Sequence, residues 1–316
     1  MRIFTILLSV CLFVITTAAM AGPLVPEHLG EDTKWFGHVN MDAIRTTSCF
    51  KACQVNCEKS ERCQTKIKKM IDCLGMNLME ELQGITLYAT KYKGHNGVVL
   101  VYLNTYNKEK MLALLEEKHP DHETDKIGDQ TVYSWTKKHD EKEIEMQGAF
   151  VSDNLIVMTY GGEDIDAALR TITDSSAGLD RSSPLMKGVA KQALFASQAI
   201  DIPEAYQNTT RCPVLKNCTE AFAQWTAKDG KLRGKYILTA NSPETAENFK
   251  KVVDGLVAMA LLNHDKMPGI ENMLKELKYK ADDRTFTVSV ELDEKDVQQA
   301  IKRCMMRKKY RPHSKE

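Results

Sequence analysis

The sequence predicts an α+β fold of two related lobes, each a mainly antiparallel sheet with helices on one face. Short segments in which apolar and polar residues alternate are joined by turns such as Asp153-Asn154 and Asp229-Gly230, a pattern typical of antiparallel strand pairs. Longer segments with apolar residues at helical spacing separate these pairs. The 316 residues are enough for about two domains of roughly 150 residues each.

The order of segments repeats along the chain, which indicates an internal duplication. Residues 155–172 match residues 285–301, and residues 85–115 match residues 221–253. A shorter match links residues 33–44 with residues 194–206, where an apolar strand runs into a turn at an aspartate in both copies. We therefore predict a first repeat at 22–180, a second at 181–304, and a linker rich in serine and glycine at 174–183.

The elements of the first repeat follow from the spacing of its apolar residues. After a surface segment at 22–32, strands are predicted at 35–39, 85–89, 98–103, 131–136, 145–151 and 155–160. Asp42 is expected to cap a helix before a cysteine-rich insert at 46–75. Further helices are predicted at 76–82, around Met111 and Leu115, and at 165–172, where the i, i+3, i+4, i+7 spacing is clear.

The second repeat shows the same kinds of element. Strands are predicted at 222–227, 232–240, 278–281 and 285–292. A long helix begins at Ser242-Pro243, and its predicted inward face contains Phe249, Val252, Val253, Leu256, Val257 and Ala260. Pro268 is expected to open another helix, and a last helix places Val297 and Ile301 on one face.

The N-terminus has the pattern of an export signal. Arg2 precedes an apolar segment at 3–15, which is too short to span a bilayer, and Ala19-Met20-Ala21 fits a cleavage site. We predict a signal peptide at 1–21, a mature chain that starts at Gly22, no transmembrane span in that chain, and a periplasmic or secreted protein.

Export changes how the nine cysteines are interpreted. Removal of Cys11 leaves eight, and an even set in an oxidising compartment favours disulfides. A helical hairpin in the insert would place Cys57 against Cys63 near the turn and Cys49 against Cys73 at the open end. Cys212 and Cys218 share the spacing of the Cys57–Cys63 pair, which leaves Cys53 and Cys304 as the least certain pair. A metal or redox site remains the alternative, although no C-x-x-C motif is present.

No familiar catalytic or nucleotide-binding motif occurs in the chain, so we expect no cofactor and no catalytic or metal-ligating residues, and an enzyme is the less favoured class. Lysine and arginine number 43, as do aspartate and glutamate, so the zero net charge disfavours nucleic-acid binding. A basic tail at 305–316 could touch an anionic surface. His38 on the first strand is expected to be a structural histidine.

The stretch Asp32-Thr33-Lys34-Trp35-Phe36-Gly37-His38-Val39-Asn40-Met41-Asp42-Ala43-Ile44-Arg45 resembles the opening of uncharacterised exported bacterial proteins. Those proteins begin with a similar D-T/A-K-W-x-x-H-V-D-x-D-A-x-R stretch after a signal peptide. The resemblance implies a duplicated α+β envelope protein and supplies no catalytic residues. The expected function is a non-catalytic binding or structural protein of the cell envelope, with an envelope protein as a possible partner. The alternative is a thiol-dependent redox or metal-binding protein centred on the cysteine-rich insert.

Overall fold

A computed structural model describes residues 22–92, 96–139, 142–174, 177–209, 215–262 and 274–309, with the backbone alone at 139, 142, 208–209 and 302–309. The strands in this part of the chain are β1 (Trp35–Asn40), β2 (Leu82–Ala89), β3 (Gly97–Leu103), β4 (Glu123–Ile127), β5 (Gln130–His139), β6 (Lys142–Ser152), β7 (Leu155–Tyr160), β8 (Ala193–Ala199), β9 (Cys218–Lys228), β10 (Lys231–Ala240), β11 (Leu277–Asp282) and β12 (Thr285–Asp293). The helices are α1 (Met41–Arg45), α2 (Ser48–Glu58), α3 (Glu61–Leu74), α4 (Leu78–Glu81), α5 (Lys108–Lys118), α6 (Ile165–Thr173), α7 (Glu204–Thr209), α8 (Pro243–Leu262) and α9 (Glu294–Lys309).

All twelve described strands belong to one antiparallel sheet in the order β11-β12-β10-β9-β8-β1-β2-β3-β7-β6-β5-β4. β1 pairs with β8 from Trp35 opposite Ala199 to Val39 opposite Phe195, so this central strand pair joins the two halves of the chain. The predicted combination of helices with an antiparallel sheet is confirmed. The predicted division into two lobes is not confirmed, because the sheet continues without a break from one half into the other.

The strand connections are alike on both sides of the central strand pair. Moving outward, the first half gives β1-β2-β3-β7-β6, and the second half gives β8-β9-β10-β12-β11. β5 and β4 extend the first side alone. This symmetry of connection is consistent with an internal duplication, which stays a prediction, as do the repeat boundaries.

Helices cover both faces of the sheet, so the prediction that they lie on one face is wrong. Leu100 and Val101 follow one another in β3, and their side chains therefore point to opposite faces. Leu100 belongs to a buried cluster that includes Leu169 of α6. Val101 belongs to a second cluster with Ile44 of α1 and Phe50 of α2. The spacing of apolar residues shows that a helix has an apolar face but not which sheet face it covers.

The N-terminal segment and one residue of the predicted linker, Leu179, pack into the core. Leu29 is fully buried, and Leu179 and Leu185 belong to the same cluster. Gly178 lies so close to the first segment that a Cβ there would be 2.0 Å from the carbonyl oxygen of Glu27. The glycine at 178 therefore allows the close approach of two chain segments, and the interpretation of 22–32 as a surface segment is corrected.

Helix α8 has a narrower buried face than the sequence predicts. Phe249 and Val253 pack against Phe286 of β12, whereas Val252 is 60% exposed and Leu256 is 56% exposed. No helix in the described ranges is both long and apolar enough to cross a membrane. The helix predicted from Pro268 to Leu277 falls outside the described residues up to 273, and its predicted last residue, Leu277, instead begins β11.

His38 is buried at 1% exposure, and its two ring nitrogens have different partners. Nε2 lies 3.1 Å from the carbonyl oxygen of Gly22, which can only accept, so this nitrogen donates. Nδ1 then accepts from the Thr86 hydroxyl at 2.9 Å. Burial lowers the pKa of His38 to about 4, and the contact with Gly22 opposes this shift only in part. The structural interpretation of this histidine agrees with its place in the core.

We expect the stability of the protein to fall in weak acid through His38. Its pKa is about 4 when folded and about 6.5 when unfolded, so the unfolded chain binds more protons between these values. The contribution is fully present above about pH 6.5 and is lost as the pH falls towards 4, at a cost of about 3 kcal/mol. Urea unfolding of the wild type and His38→Gln from pH 4 to 8 measures this, and an equally steep pH dependence in the variant would contradict it.

Candidate functional site

Small side chains on the two strands β8 and β9 form the floor of a cavity on one face of the sheet. Ala199 on β8 lies opposite Ala221 on β9, and Ser197 lies opposite Ala223. Residues directly opposite each other in adjacent strands share a face, so these four side chains lie together. Because none of them is large, they leave a depression between bulkier neighbours.

Larger side chains form the walls of this depression. On one side, Trp35 of β1 lies opposite Ala199. On the other side, Leu238 and Tyr236 of β10 lie opposite Ala221 and Ala223. At about 4.8 Å per strand, the three spacings from β1 to β10 separate the walls by about 14 Å. The cavity has a volume of about 310 Å³. We call it the aromatic cavity; its lining residues are Trp35, Tyr92, Ser197, Gln198, Ala199, Ile202, Tyr206, Leu215, Ala221, Phe222, Ala223, Tyr236 and Leu238.

Tyr236 is oriented by a tryptophan that is not part of the lining. Trp225 on β9 donates its indole N–H to the Tyr236 hydroxyl at 2.7 Å, and the two rings meet edge to face with centroids 6.4 Å apart. Gly234 lies opposite Trp225 in β10, and a Cβ there would be 2.8 Å from the indole ring. The absence of a side chain at Gly234 therefore lets the indole lie close to β10, within reach of Tyr236.

Two tyrosines contribute to the cavity from outside the sheet. The Tyr92 hydroxyl donates to the carbonyl oxygen of Ile200 at 2.6 Å and lies 3.2 Å from that of Lys34, so it bridges the ends of β8 and β1. Burial raises the pKa of Tyr92, so its hydroxyl remains protonated and able to donate. Its ring contacts Tyr206 of α7 at a centroid distance of 5.2 Å.

Helix α7 is held in place through a buried glutamine. The Gln207 side chain donates to the carbonyl oxygen of Ile202 at 2.9 Å and accepts from the Asn241 side chain at 2.9 Å. Asn241 follows β10, so these bonds connect α7 to the strand that forms one wall. The position of Tyr206 is therefore fixed by the same sheet that forms the floor.

The lining has the chemistry of a binding site for an uncharged molecule. Its side chains are mainly aromatic or aliphatic, and hydroxyl groups are available from Ser197 and Tyr236. No acid, base or thiol belongs to the lining given above, so the cavity offers shape and a few hydrogen bonds rather than proton transfer. Apolar cavities with a few polar groups are typical of small-molecule sites.

The cysteine-rich insert forms the predicted helical hairpin from α2 and α3. Cys57 near the end of α2 is bonded to Cys63 at the start of α3, with a Cα–Cα distance of 5.4 Å. This disulfide was predicted from the turn between the two helices and is confirmed. It lies away from the aromatic cavity, whose lining includes no residue of the insert.

The predicted bond between Cys49 and Cys73 is not formed. The Cys49 thiol is buried and donates to the carbonyl oxygen of Glu294 at 3.4 Å, whereas Cys73 is an exposed thiol on α3. Contacts with α9 explain the difference. The backbone N–H of Ser48 also donates to the Glu294 carboxylate at 2.5 Å, so the start of α2 faces α9 rather than the end of α3.

The remaining cysteine predictions fall partly outside the described residues. Cys212 lies in the undescribed range 210–214, and the side chain of Cys304 is not described, so the Cys212–Cys218 and Cys53–Cys304 pairs stay predictions. Cys53 is a half-buried thiol. Within the described ranges, no three histidine, cysteine, aspartate or glutamate side chains are grouped so that they could hold a metal ion.

Comparisons with known proteins give little further information. No family model matches the chain, and no curated protein matches it significantly. Among solved structures, crystal form III of TP0453 is similar with a TM-score of 0.45 and 10% identity, over 90% of this chain and 99% of that one. Crystal form I of TP0453 has a TM-score of 0.43 and 9% identity, over 89% and 97%. Similarities at this level assign neither a fold family nor a function.

The aromatic cavity was not predicted, although part of its signal was visible. Trp35 and Tyr206 both belong to the matched segments 33–44 and 194–206, which turn out to carry the central strand pair. The alternating small residues of β8 and β9 are the other signal. They become meaningful only once the strands are known to be adjacent and in register.

Thiol labelling tests whether the insert carries reactive cysteines. Burial raises the pKa of Cys49 to about 12 and also raises that of Cys53, and a raised pKa leaves less of the reactive thiolate. We expect iodoacetamide to modify exposed Cys73 first, Cys53 much more slowly, and Cys49 only after unfolding. Peptide mapping of the native, unreduced protein measures these rates, with Cys73→Ser as the control. Fast labelling of Cys53 in that variant would contradict the expectation.

Proposed function

We propose that the protein is an exported, non-catalytic binding protein that holds a small apolar molecule with at least one ring in the aromatic cavity. The observation that carries this proposal is the arrangement of small residues on β8 and β9 between Trp35 on one side and Tyr236 on the other. Flat aromatic side chains around a narrow space favour a flat or ring-shaped ligand, because rings stack or meet edge to face.

The size and polarity of the cavity restrict the ligand further. A volume of about 310 Å³ is at the lower end of the range for small-molecule pockets. A charged group buried among these side chains would lose its hydration without gaining a partner, which is costly. One polar substituent could instead bond to the hydroxyl of Ser197 or Tyr236. The proposed ligand is therefore neutral, with one or two rings and few polar groups.

Export is supported by two independent observations. The sequence before Gly22 has the form of a cleavable signal, with Ala19-Met20-Ala21 at the predicted cleavage site. The Cys57–Cys63 disulfide suits an oxidising compartment such as the periplasm or the extracellular space. Together they support a place in the cell envelope or outside it, where the protein would meet its ligand after folding.

The thiol-dependent alternative has weaker support from the geometry. Two cysteines of the insert are joined to each other, and burial raises the pKa of Cys49 and of Cys53. Cys73 is exposed on α3 but belongs to no described group of metal-ligating side chains. The aromatic cavity therefore provides the better basis for a function.

The neutral dye N-phenyl-1-naphthylamine, which carries two aromatic groups, a phenyl and a naphthyl, tests the proposal directly. We expect the dye to bind with a fluorescence increase, and Ala223→Leu to weaken binding at least tenfold because the larger side chain fills the floor. Energy transfer from tryptophan to the bound dye should also fall in Trp35→Phe, with the remaining transfer coming mainly from Trp225 beside Tyr236. Fluorescence titration of the purified, full-length mature protein measures both effects.

The control separates the cavity from the exposed apolar side chains of α8. Leu256→Ser removes one of these exposed side chains without touching the cavity, so the affinity of the dye should not change. Loss of binding in Leu256→Ser, or unchanged binding in Ala223→Leu, would place the dye outside the aromatic cavity and contradict the proposal. Circular dichroism of each variant confirms that the sheet is retained.

A further inference from the structure

Gly22, the first residue after the predicted cleavage site, is buried between β1 and β2. Its carbonyl oxygen accepts from His38 Nε2 of β1 at 3.1 Å. On its other side, a Cβ at Gly22 would be 2.4 Å from the carbonyl oxygen of Gln83 in β2. A Cβ at Gly84 would likewise come within 3.1 Å of the Gly22 carbonyl oxygen. The start of the predicted mature chain is thus a fixed part of the core.

Asp42 presents a buried carboxylate to this position. Asp42 is 5% exposed, and its Oδ1 accepts a hydrogen bond from Arg45 Nη1 at 2.7 Å. The other oxygen, Oδ2, is buried and has no hydrogen-bond partner among the described residues. A buried carboxylate with one oxygen unpaired loses hydration without full compensation. The site therefore has capacity for one more hydrogen-bond donor.

Arg45 does not use its remaining donors on this carboxylate. Its Nη2 donates to the carbonyl oxygens of Leu82 at 2.7 Å and Met79 at 2.9 Å, and its Nε also points to Met79. Glu80 and Glu81 of α4 further stabilise its positive charge. The guanidinium is therefore shared among several acceptors, which leaves the second oxygen of Asp42 open to another cation.

Gly22 and the Asp42–Arg45 pair meet at the start of β2, because Gly22 packs against Gln83 and Arg45 donates to the carbonyl oxygen of Leu82. Burial raises the pKa of this carboxyl, while Arg45 and the amide of Gly22 each lower it. The Oδ2 atom nevertheless has no hydrogen-bond partner among the described residues. The N–H of the Gly22 amide is fixed by the planar peptide bond and offers only one donor. A freely rotating ammonium with three donors could satisfy the oxygen.

We propose that cleavage before Gly22 creates an α-ammonium group that binds the buried carboxylate of Asp42, so that processing completes the fold. In the cleavage, the bond between the Ala21 carbonyl carbon and the Gly22 nitrogen breaks. Water supplies the oxygen of the new Ala21 carboxylate, and its protons convert the Gly22 nitrogen to an ammonium. The new charge attracts Asp42 and fixes the segment at 22–34 onto β1 and β2. This inference depends on the proposed export, and specifically on the position of the cleavage site.

The experiment compares two forms of the mature chain that differ by one charge. One begins with the free amine of Gly22, and the other carries an N-acetyl group that mimics the uncleaved amide. We expect acetylation to lower the ratio of folded to unfolded protein roughly thirtyfold at pH 7, measured by urea unfolding. That ratio corresponds to about 2 kcal/mol at 1.4 kcal/mol for each factor of ten.

Asp42→Asn supplies the decisive comparison, and Asp153→Asn, at an exposed loop, is the matched control. If the ammonium binds Asp42, acetylation will have little effect in Asp42→Asn and the full effect in Asp153→Asn. An equal effect of acetylation in all three backgrounds, or no effect in the wild type, overturns the proposal. If Asp42→Asn does not fold, the pH dependence of the acetylation effect in the wild type tests the proposal instead.

The pH dependence follows from the groups around the ammonium. Asp42 and Arg45 of α1 and His38 of β1 face the site, whereas β2 contributes the backbone of Gln83. Pairing with a carboxylate raises the pKa of an α-ammonium above its usual value of about 8. The extra folding stability of the free-amine form over the acetylated form should therefore be complete below about pH 7. It should vanish as the pH rises through the raised pKa. An advantage that persists at pH 11 would be steric and would contradict the proposal.

N-terminal sequencing of protein exported from cells distinguishes a failure of the proposed ion pair from a failure of the proposed export and cleavage. A mature chain that begins elsewhere than Gly22 contradicts the processing step, whatever the stability of the two prepared forms. Cleavage at Gly22 without a stability difference contradicts the ion pair but leaves export intact.

Discussion

The pairing of β1 with β8 is the interaction on which the rest of the structure depends. Five residue pairs, from Trp35 opposite Ala199 to Val39 opposite Phe195, turn two sets of strands into one sheet. Without this pairing, β1 and β8 would each be the edge of a smaller sheet with unpaired backbone groups. The same register brings Trp35 beside the small residues of β8 and β9, so the aromatic cavity is a consequence of how the halves join.

The central strand pair also explains why polar groups are buried near the N-terminus. His38 lies in β1, and Asp42 lies just beyond it in α1, and both side chains are buried. The segment that begins at Gly22 provides the acceptor for His38 Nε2, and Arg45 provides a donor for Asp42 Oδ1. A segment that seemed to be a surface connection is therefore required to satisfy a core polar group. Under the proposal above, the Asp42 carboxylate would connect processing of the chain to its fold.

Much of the fold could be predicted because local sequence determines it. Alternation of apolar residues located β2, and the acidic turn at 153–154 located the β6–β7 pair. The Cys57–Cys63 bond followed from a turn between two helices that places the two cysteines within seven residues of each other. Strand β4 was missed because Glu123–Ile127 is an exposed and polar edge strand with no apolar alternation. Edge strands of this kind depend on their neighbour for pairing and carry little signal of their own.

The features that could not be predicted all depend on contacts between distant segments. Cys49 faces Glu294 because α2 packs beside α9, which no local spacing indicates. Val252 is exposed because α8 uses a narrow face to cover β12. The aromatic cavity requires the register of four strands to be known before small residues can be recognised as a floor. Tertiary arrangement, rather than composition, therefore determines the candidate site.

Native-state hydrogen exchange across the central strand pair tests this account most directly. If β1 and β8 hold one continuous sheet together, their mutually bonded amides will exchange only through global unfolding, with the highest free energy in the molecule. The neighbouring strands β2 and β9 will show the same value, because neither half opens alone. A lower free energy at β1 and β8 than at the centres of the two halves would show two separate lobes in loose contact and would contradict the account.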